Sequence, residues 1–134
     1  MKNKLVAVIN KDLPAGVAMN ALAHLAFSLG SQLDSDDAFL QMNKDASGNT
    51  WFVSAMPFII LRASTRDIKQ TVCRAKENTI KHAVFVDGMT GGDYLEQIAR
   101  LSETIEDEHI YYAAVLFGDM SALNSLTKKF SLYR

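Results

Sequence analysis

The chain of 134 residues has a single cysteine, Cys73, which excludes an internal disulfide and a cysteine-built zinc site. Proline is almost absent too, with Pro14 and Pro57 as its two positions, so most of the chain is open to regular structure. No long hydrophobic run exists. The longest, Tyr111 to Phe117, is far short of the ~20 residues that cross a bilayer. The apolar stretch near the N-terminus, Leu5 to Ile9, is too short for the core of a signal peptide. An excess of one charge is also missing: 14 Lys and Arg against 15 Asp and Glu give −1, unlike the basic balance of a dedicated nucleic-acid binder. These absences predict a soluble, cytoplasmic protein with no membrane contact, no metal and no cofactor.

What is present is a globular composition, 49% apolar and 22% charged, in a length that fits one domain, residues 1–134. The charge is unevenly placed. Six basic residues lie between Arg62 and Lys81, and six acidic ones between Asp93 and Glu108. Solvated helix faces account for both stretches, while a local basic face would meet at most a few phosphates.

The hydrophobic pattern alternates strands and helices. LVAVI within Lys4 to Ile9 reads as a strand covered on both faces. NKDLPAG turns the chain, and a helix follows from Gly16 to Leu29, apolar almost all round and so expected to be buried, with Gly30 suited to its end. Residues 31–50 are polar, with a short helix expected at Asp36 to Met42 and a turn at DASGN. An edge segment is expected near Trp51 to Val53, then a strand at Pro57 to Ala63. Ser64 is placed to cap a helix whose core face is Ile68, Val72 and Ala75. A strand at His82 to Val86 leads through DGMTGGD to a helix from Asp93 to Thr104, with Leu95, Ile98 and Leu101 inward. A strand at His109 to Phe117 and a helix carrying Leu123, Leu126 and Phe130 on one face complete the chain. His82 and His109 each open a strand and are read as solvent-facing. The order predicts an α/β fold, a three-layer α/β/α sandwich around a four-stranded sheet that alternation alone makes parallel.

Ligands of such sheets sit beyond the strand carboxyl ends. The rim would carry Asp12, Gly16, Asp87 and Thr90, with Asn20 one turn into the first helix. Asp12, Asn20, Asp87 and Thr90 are expected around one cleft as a small polar ligand site. Asn20, His24 and Ser28 fall at i, i+4 and i+8 along one stripe, which calls for a polar partner or a wet cleft. His24 alone reads more readily as a core histidine bonded to a backbone carbonyl. The glycines of GMTGGD would present N–H groups to an anion, although Asp93 would repel it and an ordinary strand–helix turn explains the pattern.

KDLPAG after the first strand, His24-Leu25-Ala26 on the apolar helix, PFIILRAS, HAVFVDGMT and YYAAVLFGD occur in that order. Together they resemble the class II peptidyl-tRNA hydrolases over nearly the whole chain, and closest a bacterial branch of that superfamily described as a domain of unknown function. The resemblance implies a mixed, mostly parallel four-stranded sheet whose last strand runs antiparallel. It carries Asp12, Leu13, Gly16, His24, Asp87 and Thr90 onto positions of the family's pattern. The family's functional lysine falls on Val17 and its helix glutamine on Ala21, and the turn is two residues shorter. For catalysis the candidates are Lys11, Asp12, His24 and Asp87, with Lys11 the residue that would replace the lysine. Three functions are in view. A non-catalytic small polar ligand-binding domain is favoured. A peptidyl-tRNA hydrolase with a rearranged site and a homodimeric interaction module using an apolar edge near Trp51 and Phe52 are the alternatives. Tight tRNA binding is not expected.

Overall fold

A computed structural model describes residues 2–134. β1 (Asn3–Asn10) is the central strand of a five-stranded sheet and is followed by α1 (Ala15–Gly30). A separate hairpin, β2 (Leu40–Lys44) and β3 (Thr50–Ser54), precedes β4 (Phe58–Ala63) and α2 (Thr65–Glu77). β5 (Lys81–Val86), α3 (Tyr94–Glu103), β6 (Tyr111–Asp119), α4 (Met120–Thr127) and β7 (Ser131–Leu132) complete the order. The sheet runs β5-β6-β1-β4-β7.

The side chains of β1 alternate between two cores, which explains its unbroken apolar run. Val6 and Val8 pack with Ile68 and Val72 of α2 and with Leu123 of α4. Ala7 and Ile9 pack with Ala18, Ala21 and Leu25 of α1. Ser64 caps α2 by accepting from the Asp67 amide, and Ile68, Val72 and Ala75 are buried as the sequence implies.

The sheet departs from the expectation of four mostly parallel strands. It has five, and only β1–β4 is a parallel pair; β1–β6, β5–β6 and β4–β7 are antiparallel. The cause sits at the end of β5. The Asp87 amide donates to the Ile110 carbonyl at 3.0 Å, and the Ile110 amide donates to the Asp87 carboxylate at 3.2 Å. The chain therefore leaves β5 and re-enters β6 at the same rim. α3 is an excursion between antiparallel neighbours, not a crossover, and the last long strand is antiparallel as the resemblance implies.

Five local expectations also change. No helix forms over Asp36 to Met42: turns centred on Asp34 end at Phe39 in the left-handed region (φ 52°), and β2 begins. DASGN is the hairpin turn, where Asp45 accepts from the amides of Ser47 and Asn49 and Gly48 takes φ 84°. The hairpin pairs only with itself and exposes Met42, Trp51 and Phe52, so Trp51 to Val53 is not an edge of the main sheet. α1 buries one stripe, Ala18, Ala21, Leu25 and Leu29, and leaves Met19 and Phe27 in solvent. Gly30 lies inside α1, and Ser31 ends it in ordinary right-handed geometry. In α3, Leu95 is exposed and Ile98 largely so; only Leu101 packs against the core. Among the described residues no helix is long and apolar enough to cross a membrane.

Candidate functional site

α1 and α3 flank an open cavity of about 550 Å³ over β5. The Asn20, His24 and Ser28 stripe forms one wall; Tyr94, Gln97, Ile98 and Leu101 of α3 form the other. Phe85 and Ala83 of β5 make the floor, and Met89 to Gly91 close one end. The i, i+4, i+8 spacing places the α1 stripe along one line beside the buried one. Ser28 spends its hydroxyl on the His24 carbonyl at 2.8 Å. The side chains of Asn20, His24 and Gln97 have no hydrogen-bond partner among the described residues. His24 is exposed, with its ring 5.8 Å from that of Phe85. It is therefore not a core histidine bonded to a carbonyl. No Asp, Glu, Lys or Arg lines the cavity, so its wall carries no formal charge when His24 is neutral.

Of the residues expected around one cleft, this cavity gathers Asn20 and Thr90, together with His24, and leaves Asp12 and Asp87 outside. β6 separates β1 from β5, so Asp12 and Asp87 follow strands that end at the same rim about 10 Å apart at the usual strand spacing. Asp87 is occupied at the β5–β6 junction, and its carbonyl takes the Thr90 hydroxyl at 2.7 Å. Asp12 is exposed in the turn after β1, where its amide donates to the Asn10 side chain. Gly16 is exposed with open space where a Cβ would sit. Lys11 faces a different groove, lined by Arg62, Ser64, Asp67 and Lys129. Gln97, Tyr94 and Phe85 were not among the expected site residues. Their place follows from the return of β6 beside β5, which residue spacing does not encode.

The glycine loop is built in the opposite sense to an anion cradle. The Arg100 guanidinium donates to the carbonyls of Gly88, Thr90 and Gly91, at 3.3, 2.6 and 2.6 Å. Carbonyls thus converge on a cation supplied by the chain. Gly91 and Gly92 take φ near +71° and +72°, the left-handed region glycine favours. Asp93 caps α3 in a reciprocal capping box with Glu96. DGMTGGD is a strand–helix turn with its own internal counter-charge.

The two charged stretches also meet. Lys69 of α2 pairs with Asp107, and Lys76 lies 3.9 Å from Glu106. Lys129 pairs with Asp67 at 3.2 Å. The hydrogen bond from Lys69 holds the Asp107 carboxyl below the usual carboxylate range. A depressed carboxyl favours the folded state above its unfolded pKa of about 4, and that contribution is lost as pH falls through the lower folded value. Carboxyl-detected NMR titration should find Asp107 below the ordinary Asp range, and Lys69→Met should return it upward. An unchanged Asp107 in that variant would show that the pair does not persist in solution.

These features define an α/β protein with one mixed sheet, helices packed against it and an uncharged cavity at the β5 edge. The chain belongs to the DUF2000 family, described as a protein of unknown function, whose model matches residues 3–134. Eleven chains of solved structures match it. One is a protein of unknown function, Atu0240, from Agrobacterium tumefaciens strain C58, with a TM-score of 0.84 at 18% identity, covering 100% of this chain and 99% of that one. At that identity the likeness shows the fold. No curated protein matches the chain significantly. No group of three or more metal-ligating side chains occurs among the described residues.

Proposed function

We propose that the protein is a cytoplasmic, single-domain, non-catalytic receptor for a small polar, uncharged molecule, bound between α1 and α3. In this reading residues 1–134 form a three-layer α/β/α domain of the peptidyl-tRNA hydrolase-like superfamily. The observation that carries it is the convergence of the uncommitted amide and imidazole groups of Asn20, His24 and Gln97 on a largely apolar cavity of about 550 Å³. That volume falls in the range of small-molecule sites, which are mostly apolar with a few placed polar groups. An uncharged wall favours an uncharged ligand, because an ion brought there would lose hydration without a counter-charge. The test is an NMR screen with uncharged amides and alcohols. Saturable shifts at Asn20, His24 and Gln97 are expected, weakened about tenfold or more in Asn20→Ala/Gln97→Ala, as two hydrogen bonds of about 1 kcal/mol each imply. Hits confined to anions, or indifferent to the double variant, overturn the reading.

Hydrolysis of peptidyl-tRNA fits less well. Val17 and Ala21 stand where the family's lysine and glutamine would be, and Lys11 lines a groove apart from His24. Loss of one oxyanion-type donor alone costs ~10²–10³ in turnover. The purified protein should release no peptide above background; robust release that disappears in Asp12→Ala would establish the hydrolase instead. Two of the four basic residues of α2, Lys69 and Lys76, are answered by Asp107 and Glu106, which weakens the case for tRNA. The exposed Met42, Trp51 and Phe52 of the hairpin favour a homodimer as a second reading, which sedimentation at rising concentration tests.

A further inference from the structure

A second cavity, of about 420 Å³, lies on the other side of the wall formed by Met89 and Leu101. It opens on the α2 face of the sheet. Its floor is aliphatic, built from Val72, Val84 and Val86. Two of its groups are unusual. The Nδ1 atom of His109 is shielded from solvent and has no hydrogen-bond partner among the described residues. The Tyr111 hydroxyl also makes no hydrogen bond among them, and burial, followed by the Glu106 carboxylate, pushes its pKa up, so it stays a neutral donor and acceptor. At the rim, Lys76 and Glu106 answer each other across 3.9 Å, so no unbalanced charge calls for an ion. His109 is thus half-buried at this cavity and not simply solvent-facing, and its ring meets that of Tyr111 edge-on at 6.3 Å.

A buried polar atom without a partner costs about 1–3 kcal/mol, and a ligand that satisfies it recovers that cost. Which tautomer His109 adopts decides whether Nδ1 needs a donor or an acceptor. A hydroxyl supplies either. The aliphatic floor selects an apolar body behind that hydroxyl. We propose that this second cavity binds a small, uncharged, hydroxyl-bearing molecule with an apolar body, the hydroxyl engaging His109 and Tyr111. The site is independent of Asn20, His24 and Gln97, which lie beyond the Met89–Leu101 wall.

The experiment titrates the isotope-labelled full chain with phenol and, in parallel, with toluene, which has the same ring without the hydroxyl. Saturable phenol shifts centred on His109 and Tyr111 are expected, including a change at the His109 ring nitrogens, with toluene at least tenfold weaker. His109→Phe keeps a ring and removes the nitrogen, and it should reduce the preference for phenol, leaving only what Tyr111 supplies. The wild-type comparison decides the matter even where that variant does not fold. Equal affinity for the two probes, no saturable shift at His109, or shifts confined to Asn20, His24 and Gln97 overturn the proposal. The last pattern would leave the α1–α3 cavity supported while removing this one, so the two readings fail separately.

Discussion

Asn10→Leu should destabilise the protein by about 3 kcal/mol, lowering Tm by on the order of 10 °C. Asn10 ends β1, is 4% exposed and joins three parts of the chain. Its amide group donates to the Thr65 hydroxyl and to the Tyr111 carbonyl, each at 2.9 Å, and its oxygen accepts from the Asp12 amide at 2.9 Å. One side chain thus fixes the start of α2, the entry of β6 and the turn leading to α1. Leucine nearly preserves the volume, so the loss reports the polar groups. The Tyr111 carbonyl would keep only a 3.4 Å contact from Thr65. An unpaired buried group costs about 1–3 kcal/mol, and the partly exposed Asp12 amide adds less because water reaches it. Urea unfolding measures the difference. A loss below about 1 kcal/mol would mean that water replaces the asparagine at all three places.

The second large effect separates two neighbours on α1. Leu29→Ala should cost about 3 kcal/mol, within the range for buried leucines, because Leu29 is fully buried against the sheet. Phe27→Ser should change stability by no more than about 0.5 kcal/mol, since Phe27 is 82% exposed. Thermal unfolding of both variants tests the pair. A large loss in Phe27→Ser would reveal that this ring is covered in solution, for instance by a second copy of the chain.

Those two residues also mark the limit of what the pattern discloses. Both are large and apolar, and a helix apolar on nearly every side does not say which stripe faces the sheet. β1 and β6 were legible because LVAVI and YYAAVLF can be satisfied only by burial on both faces, and Ser64 announced α2 through its cap; β2 and β7, short and exposed, carry no such signal. The direction of β6 was not legible from alternation. It depends on the pairing of Asp87 with Ile110, contacts remote in sequence that periodicity does not record. The same reason divides the candidate site. Asn20 and His24 were visible as polar interruptions of an apolar helix. Gln97 was not, because its approach to them follows from where α3 is set down. Asp12 and Asp87 drew attention as acids after strands, yet Asp87 serves the backbone and Asp12 stands outside the cavity.

The Asp87–Ile110 bracket has a consequence for how this chain can vary. Because those two residues already touch, residues 88–109 form a closed parenthesis in the covalent path, beginning and ending at one point of the sheet. β5 and β6 would remain neighbours if the parenthesis were shortened to a tight hairpin turn. The sheet therefore does not need α3 for its closure, while α3 and one wall of each cavity depend on the sheet. Such a unit can open by itself at a free energy below that of global unfolding. It can also gain or lose length without shifting the strand register. Within this fold, the segment that walls both cavities is not one the strand pairing relies on, and its side chains can change at little risk to the framework.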